Sequence, residues 1–175
     1  MISGEKIGLR AIEPGDLDML MMWRNHPEFR KYFREYREIS SEMQKKWFET
    51  TVLGDKNTLM FSIVLRETGE LIGCCGLCYI NWIHRYAELS FYIGYQNAYI
   101  DDMGYAEESC KLLFQYAFGE LNLHKVWAEI YDFDEKKTTL FRKLGMTLDG
   151  KLRDNYYYDG AWHSSLIFSI LQKEA

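Results

Sequence analysis

The segment around Gly104 has the residue types that could bind a phosphate group. A strand-like run, residues 89–94, is followed by a long connection and then by Gly104-Tyr105-Ala106-Glu107-Glu108. Small residues let a turn lead tightly into a helix, whose first turn exposes backbone N–H groups and the positive end of the helix dipole. An anion such as a pyrophosphate binds well there. Because Gly-x-Ala before a helix is common, the motif alone indicates no more than a phosphate site that other features must support.

Four cysteines offer a second kind of chemistry, metal binding or redox exchange. Cys74, Cys75 and Cys78 lie in one apolar run, and Cys110 lies apart from them. The spacing Cys75-x-x-Cys78 is half of a zinc site, but the sequence has no second pair and no histidine at ligand spacing. We therefore expect a buried strand that uses small apolar thiols in a reduced protein without a bound metal.

Composition and charge exclude several classes of protein. The chain has 175 residues, of which 47% are hydrophobic and 27% are charged, and its formal net charge is −5. This composition predicts one globular domain over residues 1–175 and excludes a mainly disordered chain. The negative net charge argues against a partner bound through nucleic-acid phosphates. No apolar run is long enough to span a membrane, and the polar residues 1–6 are not typical of a signal peptide, so we expect a cytoplasmic protein.

The periodicity of the chain predicts the elements that position these residues. Strands are predicted at 6–11, 59–66, 71–81, 88–94, 125–131, 147–158 and 161–171, and helices at 14–25, 40–52, 105–120 and 135–144. Asp159-Gly160 between the last two strands indicates a type I′ hairpin. The order β α α β β β α β α β β is neither a Rossmann repeat nor an all-β sandwich. It predicts an α+β (or α/β) fold, with one mixed, mostly antiparallel sheet flanked by helices on both faces.

Several stretches carry a combined pattern. They are residues 79–89 (YINWIHRYAEL), 104–108 (GYAEE), 118–129 (FGELNLHKVWAE), 140–146 (LFRKLGM) and 159–163 (DGAWH), with 9–12 (LRAI) and 23–25 (WRN) near the start. Together they resemble the GCN5-related N-acetyltransferase (GNAT) family, and particularly its RimJ/RimL-like branch. The resemblance covers essentially the whole chain. It implies an acyltransferase that moves an acetyl group from acetyl-CoA to a primary amine by direct attack in a ternary complex, with coenzyme A as product.

The resemblance also implies where the donor binds. In such folds two central strands, here those ending near Ile93 and starting at Lys125, splay apart, and the pantetheine arm lies between them like an added strand. The pyrophosphate lies on the Gly104 turn, and a backbone N–H of residues 91–93 stabilises the oxyanion that forms from the thioester carbonyl. The expected cofactor-binding residues are Phe91, Tyr92, Ile93, Met103, Gly104, Tyr105, Ala106, Asp134, Lys137 and Phe141.

An amine acceptor is mostly protonated at neutral pH, so a base must remove a proton from it. We expect that base to be Glu88, because the family often places a carboxylate on this strand beside the splay. A structural carboxylate paired with Arg85 or with a backbone amide is the open alternative. His84 is a second candidate, although its loop position favours an ordinary surface histidine, and His124 and His163 are expected to be structural.

The phosphate-binding loop departs from the family pattern. It begins with Asp101-Asp102-Met103 where the family has Gln or Arg. Carboxylates near a pyrophosphate repel it unless they point away or cap the helix. The cations Lys136-Lys137 and Arg142-Lys143 of the following helix could bind the CoA phosphates, or they could face solvent.

The proton donor of the family is also replaced. Phe141 stands where the family usually has a tyrosine that protonates the leaving thiolate, and Asp134 stands where it has an asparagine. Phenylalanine cannot donate a proton, so Tyr131, Tyr105 or solvent would supply it, or no acid is needed because a thiol pKa lies near about 8.5. Tyr131 is the expected catalytic acid.

The acceptor site in such enzymes is formed by the first two helices, the last hairpin and a loop between strands. The expected substrate-binding residues are Trp23, Arg24, Asn25, Tyr32, Trp82 and Tyr157. Residues 30–37 mix aromatics with cations, so they could stack a sugar or base and hold a phosphate, or they could form a surface loop. The branch modifies protein N-termini, polyamines, small amines and nucleotide-linked amino sugars. We therefore expect a small-molecule or peptide amine as partner, neither nucleic acid nor membrane, and leave a homodimer open.

Two other functions remain as alternatives. A non-catalytic protein that binds CoA or another ligand on the same fold would result if Asp101, Asp102 and Phe141 abolish the affinity for acetyl-CoA. A metal- or redox-active protein would use Cys75 and Cys78.

Overall fold

The computed structural model describes all residues, 1–175, and contains eight strands and five α-helices. The strands are β1 (Ile2–Ser3), β2 (Ile7–Ala11), β3 (Leu59–Leu65), β4 (Leu71–Asn81), β5 (Tyr86–Ile93), β6 (Lys125–Tyr131), β7 (Thr147–Tyr158) and β8 (Ala161–Leu171). The helices are α1 (Leu17–Asn25), α2 (Pro27–Arg30), α3 (Ser41–Trp47), α4 (Tyr105–Gln115) and α5 (Glu135–Lys143). Wider, π-helical turns extend α3 through Phe48–Val52 and α4 through Tyr116–Glu120.

All eight strands form one sheet, in the order β1-β2-β3-β4-β5-β6-β8-β7. Every neighbouring pair is antiparallel except β5 and β6, which are parallel. Parallel neighbours need a long crossover connection, and the segment that contains α4 supplies it. The predicted mixed, mostly antiparallel sheet is confirmed.

Helices cover both faces of the sheet, as two neighbouring residues of β5 demonstrate. Side chains along a strand point alternately to opposite faces. The ring of Tyr92 contacts Trp23 of α1, with centroids 6.4 Å apart, whereas the ring of Phe91 contacts Phe141 of α5, at 6.0 Å. α1 and α5 therefore lie on opposite faces, and the side chains buried between the helices and the sheet form one continuous core.

Gly94 follows β5 and lets α1 approach the sheet closely. A Cβ atom built on Gly94 would lie 1.9 Å from the ring of Trp23, so only glycine fits there. Trp23 is 8% exposed and belongs to the core. The ring of Trp23 packs α1 on the sheet, and the expected role of Trp23 in substrate binding stays a prediction from the sequence.

The predicted elements agree with the observed ones apart from short additions. β5 begins at Tyr86, two residues before the predicted start, because Asn81 and Tyr86 already pair across the turn. The four-residue α2 was not predicted; it begins at Pro27, which fits the first position of a helix. Asp159 and Gly160 have φ angles of 50° and 78°, as the predicted type I′ turn requires. No helix combines the length and apolar composition needed to cross a membrane.

Candidate active site

The sheet opens at its centre between β5 and β6. The two strands pair only where Tyr86, Ala87 and Glu88 face Lys125, Val126 and Trp127. β5 then continues to Ile93 and β6 to Tyr131 with no further pairing between them. The predicted splay is present, and it leaves backbone groups of two strands facing a gap.

A cavity of about 210 Å³, here called the gap cavity, lies at this opening. It brings together seven residues that were predicted for the site from the sequence, from both faces of the sheet. These are Arg24, Tyr32, Glu88, Phe91, Tyr92, Tyr131 and Lys137. The gap cavity is therefore the candidate reaction centre.

Glu88 lies at the last paired position of β5 and is 6% exposed. Arg34 covers it: the guanidinium Nη2 donates to Oε1 of Glu88 and Nη1 donates to Oε2 at 3.1 Å. Nη2 also donates to Oε2 of Glu129 on β6, at 3.3 Å. Burial lowers the pKa of Arg34, but the bonds with Glu88 and Glu129 outweigh it and the pKa is raised overall. Arg85 was the alternative ion-pair partner expected for Glu88. That expectation is wrong, because Glu88 pairs with Arg34.

Sequence reasoning missed Arg34 and Glu129 as site residues. Arg34 lies in the aromatic and cationic segment 30–37, but nothing in that segment distinguishes one arginine from another. Glu129 lies two positions past Trp127, the last β6 residue paired with β5, so its side chain reaches the gap cavity from the opposite strand. The predicted splay could have indicated Glu129, because this residue follows the point where β6 leaves β5.

Backbone N–H groups of β5 differ in what they face. The N–H of Gly94 donates to Ile72 of β4 at 2.8 Å, and the N–H of Ile93 donates to the carbonyl of Tyr99 at 3.0 Å. Because N–H directions alternate along a strand, the N–H of Phe91 points to the same side as that of Ile93, toward the gap. The N–H of Ile93 is therefore not free, and Phe91 is the candidate oxyanion donor within residues 91–93.

The N-terminus of α4 has the predicted glycine turn, but a carboxylate occupies it. Gly104 has a φ of 87°, in the left-handed region that favours glycine. The two carboxylate oxygens of Asp101 accept hydrogen bonds from the N–H groups of Tyr105 and Ala106, both at 2.8 Å. Asp101 therefore caps the helix and stands where an anion would bind.

A groove of about 470 Å³ lies between this N-terminus and α5, and is here called the α4 groove. Gly104, Ala106, Lys136 and Lys143 line it, together with Asp101 and other carboxylates. Lys143 is already paired with Glu107 at 2.5 Å. The space in front of Gly104 is open, because a Cβ built there would meet only the Lys6 Nζ, at 3.8 Å, so a ligand can approach the backbone.

Met103 and Tyr105 contribute differently from what was expected of them. The carbonyl of Met103 accepts a hydrogen bond from Lys6 Nζ at 2.9 Å, and its side chain is exposed. The ring of Tyr105 packs on Tyr95, with centroids 6.3 Å apart, and does not line the gap cavity. Because Tyr105 does not line the gap cavity, the structure offers no support for Tyr105 as its proton donor.

Two of the expected cofactor-binding residues are buried in the structure. Phe141 is 1% exposed and packs between Phe91 and Phe168, at centroid distances of 6.0 and 5.5 Å. Asp134 is 2% exposed; it accepts hydrogen bonds from the N–H of Lys137 and the hydroxyl of Tyr99, both at 3.1 Å. Burial raises the pKa of Asp134. Neither residue lines the gap cavity, and their contact with a cofactor stays a prediction from the sequence.

Lys137 lies at the gap cavity rather than among the phosphate-binding cations. Its Nζ lies 4.5 Å from the ring centroid of Phe91 and 5.1 Å from that of Tyr99. The residues that continue its side of α5 are Leu140, Phe141 and Leu144, all buried. This helical spacing was a signal that Lys137 points inward. The expected contact with the CoA phosphates is therefore corrected, whereas Lys136 does line the α4 groove.

Tyr131 lines the gap cavity at the end of β6, as expected for a catalytic group. Its ring stacks on Tyr156, with centroids 3.8 Å apart. Burial raises the pKa of Tyr131 to about 12, so its hydroxyl stays protonated at neutral pH.

The expected acceptor residues divide into two groups. Arg24 and Tyr32 line the gap cavity, and the Tyr32 ring stacks on Tyr99 at 4.3 Å. Asn25 instead ties the chain together, since its side chain bonds the N–H and the carbonyl of Ile39, both at 2.8 Å. Trp82 and Tyr157 are 47% and 60% exposed and do not line the gap cavity.

The contacts of Trp82 and Tyr157 explain these positions. The indole N–H of Trp82 donates to Asn57 at 3.0 Å, and the ring of Tyr157 packs on Trp162, with centroids 5.2 Å apart. Both contacts fix the side chains outside the cavity. Their role in acceptor binding stays a prediction from the sequence.

A larger cavity of about 510 Å³ adjoins the gap cavity on the face of α1 and α3, and is here called the α3 cavity. The two cavities share Arg24, Glu35, Ser90 and Tyr92. Its other charged lining residues are the cations Arg37 and Lys46. Arg37 pairs with Glu35 at 2.7 Å and lowers the pKa of that carboxyl to about 2.

Cys78 lines the gap cavity, whereas the histidines and the other three cysteines do not. His84 is exposed and stacks loosely on Tyr86, with ring centroids 6.4 Å apart. Burial raises the pKa of Cys74 and Cys78 to about 12 and that of Cys75 well above its usual range. No three or more His, Cys, Asp or Glu side chains are arranged to hold a metal ion.

Comparison with known proteins gives a consistent family. Residues 6–147 match the family model described as the acetyltransferase (GNAT) domain. The chain is 29% identical to the uncharacterized N-acetyltransferase p20 of Bacillus licheniformis, over 97% of this chain and 95% of that one. It is 28% identical to the spermidine N(1)-acetyltransferase of Escherichia coli K12, over 99% and 90%. The crystal structure of spermidine N-acetyltransferase from Vibrio cholerae, in complex with CoA and spermine, superposes with a TM-score of 0.88 at 26% identity, covering 97% of each chain.

Proposed function

The chain belongs to the GNAT family and transfers an acetyl group from acetyl-CoA to a primary amine, and on that premise we propose that its acceptor carries an anionic group beside the reacting amine. The amine would lie in the gap cavity, near Glu88. The anionic group, a carboxylate or a phosphate, would lie in the α3 cavity. The partner is thus a small molecule or peptide of mixed charge.

This proposal rests on Arg24, which has a hydrogen-bond donor without a partner. Its Nε is buried and has no hydrogen-bond partner. The guanidinium stacks over Phe33, with Cζ 4.3 Å from the ring centroid, and lines both cavities. A buried donor without a partner costs about 1–3 kcal/mol, and an anionic acceptor group that accepted its hydrogen bond would remove that cost.

Charge in the α3 cavity supports the same acceptor. Arg37 and Glu35 neutralise each other, and Lys46 makes no ion pair. Arg24 and Lys46 therefore leave the lining with an excess of positive charge. Cationic side chains of this kind recognise carboxylates and phosphates, and arginine does so with two parallel hydrogen bonds.

Acetyl-CoA fits the remaining features of the site. The unpaired backbone of β5 and β6 would hold the pantetheine arm, and the Gly104 turn with Lys136 would hold the pyrophosphate. Bound acetyl-CoA supplies the activated acetyl thioester. Asp101 must release the N–H groups of Tyr105 and Ala106 when the pyrophosphate binds there.

The reaction then uses three groups of this chain. Glu88 accepts a proton from the acceptor ammonium, directly or through a water molecule, so that the nitrogen has a free electron pair. The N–H of Phe91 donates a hydrogen bond to the acetyl carbonyl as negative charge develops on its oxygen. Arg34 must move off Glu88 to let the acceptor reach it, because its guanidinium covers the carboxylate.

A polyamine is the second candidate acceptor. Full-length relatives include spermidine N-acetyltransferases, and the site between Glu88 and Glu129 already accommodates the cation of Arg34. A polyamine ammonium could replace that guanidinium. It would leave Arg24 without a partner, which is why the mixed-charge acceptor is preferred.

An acceptor screen tests the choice. Release of CoA thiol would be followed with glucosamine 6-phosphate, glucosamine, N-terminal peptides, spermidine and spermine at equal concentration. We expect the amine with the anionic group to exceed its uncharged counterpart by at least about tenfold in kcat/KM, which Arg24→Gln reduces and Arg24→Lys partly restores. Best activity with spermidine, unchanged in Arg24→Gln, would identify the polyamine instead. Self-association and a cytoplasmic location stay predictions from the sequence.

A further inference from the structure

The reaction centre lacks the family's usual proton donor for the departing sulfur. The residue at that position, Phe141, is buried among aromatic rings and has no proton to give. Tyr131 lines the gap cavity, but its raised pKa of about 12 makes it a weak acid. A different group within the same cavity could take over the task.

Lys137 is placed on the reacting side of the gap cavity. It lies in the first turn of α5, and its Nζ sits over the ring of Phe91, the residue whose backbone N–H faces the gap. Nζ makes no hydrogen bond and no ion pair; the Phe91 and Tyr99 rings are its close neighbours. The nearby carboxylate of Asp134 is already engaged by Tyr99 and by the N–H of Lys137.

This position is unfavourable for a lysine that serves only the fold. A cation in the first turn of a helix faces the positive end of the helix dipole. A half-buried ammonium that has no hydrogen-bond acceptor in the protein also loses part of its hydration. The stability of the protein would be served better by an apolar residue that continues the buried side of α5 beside Leu140 and Phe141. Because the ammonium of Lys137 is unfavourable for stability at this position, its presence indicates a role in the reaction.

The surroundings of Lys137 favour proton donation. Burial lowers the pKa of Lys137 from its usual value. The negative charge of Asp134, together with Cys110 of α4 and Glu88 of β5, raises that pKa by less, and the cation of Arg24 on α1 lowers it further. An ammonium with a lowered pKa is a stronger acid. After it has lost its proton it can regain one from solvent through the open cavity, so it can work in every turnover.

We propose that Lys137 is the general acid of the reaction and donates the proton of its Nζ to the sulfur of coenzyme A. The acceptor nitrogen forms its bond to the acetyl carbon, and the carbon–sulfur bond breaks with its electron pair on sulfur. Lys137 protonates that sulfur and is left as a neutral amine, while Glu88 holds the proton that came from the acceptor. Return of one proton to Lys137 and loss of one from Glu88 restore the starting state. The inference rests on the proposed function and deepens it.

The first experiment measures the thiol of bound coenzyme A rather than turnover. The ultraviolet absorbance of the thiolate would be titrated with pH in the complexes of wild type, Lys137→Met and Lys137→Arg. The cysteines of the chain interfere little, because burial raises the pKa of Cys74 and Cys78 to about 12 and also raises the pKa of Cys75 and of Cys110 well above the usual range. We expect the bound thiol to ionise at least one pH unit higher in Lys137→Met than in wild type. Lys137→Arg should keep the wild-type value, since arginine keeps the cation.

The second experiment measures turnover with two acetyl donors. With acetyl-CoA, kcat should fall by about 10²-fold in Lys137→Met and also in Lys137→Arg, because neither side chain can give up a proton near neutral pH. With a thioester of an acidic aromatic thiol, which leaves without a proton, the loss should shrink at least tenfold. Lys136→Met is the contrasting variant: it should weaken CoA binding without changing the dependence on the donor.

Several results would overturn the proposal. Lys137→Met with a wild-type thiol titration and a kcat within twofold of wild type would exclude Lys137 as the acid. The same exclusion follows if Tyr131→Phe, and not Lys137→Met, gives the donor-dependent loss. If Lys137→Met does not fold, Lys137→Arg carries the turnover test. If no amine is acetylated by wild type, the proposed function fails, whereas the thiol titration still tests the contact of Lys137 with the sulfur.

Discussion

The guanidinium of Arg34 lies on the carboxylate of Glu88, although 54 residues separate them in the chain. Arg34 is about half exposed, with 48% of its side chain accessible, while the side chain of Glu88 is 8% accessible. The arginine is therefore the part of the ion pair that can move. The candidate base therefore lies beneath a cation that covers it in this structure.

Replacement of the candidate base should slow the reaction in a pH-dependent way. In Glu88→Gln we expect kcat to fall by about 10²-fold at neutral pH, the contribution of a positioned general base. Raising the pH should recover part of the loss, because more of the acceptor is then already deprotonated. The measurement is a pH–rate profile, with Glu38→Gln, an exposed partner of Arg30, as control. An equal rate in wild type and Glu88→Gln at every pH would remove Glu88 as the base.

Replacement of the covering cation should destabilise the protein through Glu88. Arg34→Ala leaves a buried carboxylate without its partner, and we expect a loss of about 1–2 kcal/mol in the free energy of unfolding, reduced from the value for a fully buried pair by the exposure of Arg34. The double variant Arg34→Ala/Glu88→Gln should recover part of that loss. Denaturant titration of the four proteins measures the coupling. Strictly additive losses would mean that the pair contributes no coupling energy.

Asp101 should oppose the binding of coenzyme A while it stabilises the free protein. Asp101→Ala removes a helix cap, so the free energy of unfolding should fall by about 1 kcal/mol. The same change frees two N–H groups and removes a negative charge, so CoA should bind several-fold more tightly. Asp102→Ala is the matched control, because Asp102 is exposed and caps nothing. Calorimetry that finds weaker CoA binding in Asp101→Ala would show instead that Asp101 shapes the loop for the ligand.

Asp16 should make the stability depend on pH in the acidic range. Burial raises the pKa of its carboxyl, but bonds from Arg10 at 2.7 and 2.8 Å, from Glu13 N–H and from the Ser62 hydroxyl outweigh burial and lower it from 3.8. A lowered folded-state pKa means that this stabilisation is complete above about pH 4 and is lost as the pH falls through the folded-state value.

The variant Asp16→Asn tests this dependence. It should cost about 1–3 kcal/mol at pH 7, the usual value for hydrogen bonds to a charged group, and the difference from wild type should shrink below pH 4. Unfolding by denaturant at several pH values measures it, with the exposed Asp18→Asn as control. A difference that stays constant down to pH 2 would contradict the role given to the charge.

The cysteines should be inert in the folded protein. Cys74, Cys75 and Cys110 are buried and Cys78 is half-buried, with its Sγ 3.7 Å from the sulfur of Met60. Burial raises the pKa of all four thiols, and the thiolate is the reactive form. An aromatic disulfide reagent at pH 8 should therefore react slowly with native protein and rapidly with four thiols after unfolding. Rapid reaction of Cys75 and Cys78 in the native state would reopen the redox alternative.

Local patterns made the elements of the fold predictable. β4 and β6–β8 have their predicted bounds because apolar periodicity and turn residues such as Asp159-Gly160 act over a few positions. The short β1 and α2 have too few residues to carry a period. Propensity also could not show that the helices at 40–52 and 105–120 end in wider π-helical turns.

The site was less predictable because its contacts join distant segments. The family pattern indicated that Glu88 lies beside the splay and that Gly104 forms the turn before α4, and the structure has both positions. It could not name Arg34, which reaches Glu88 from a segment without regular structure. Lys137 and Phe141 were both expected at the cofactor, but the packing of α5 directs them differently. The ring of Phe141 lies between other aromatic rings, whereas Lys137 lines the gap cavity. Composition and charge carry no information on such directions.

The three-residue pairing of β5 with β6 also divides the molecule mechanically. Strands β2–β5 on one side and β6–β8 on the other are each joined by longer antiparallel ladders, whereas only Tyr86–Glu88 and Lys125–Trp127 join the two halves within the sheet. Acetyl-CoA bound in the opening between β5 and β6 would connect the two halves of the sheet. Amide hydrogen exchange at the ends of β5 and β6 should then slow when CoA binds. Bound CoA would in this way stabilise the two strands that form its own binding site.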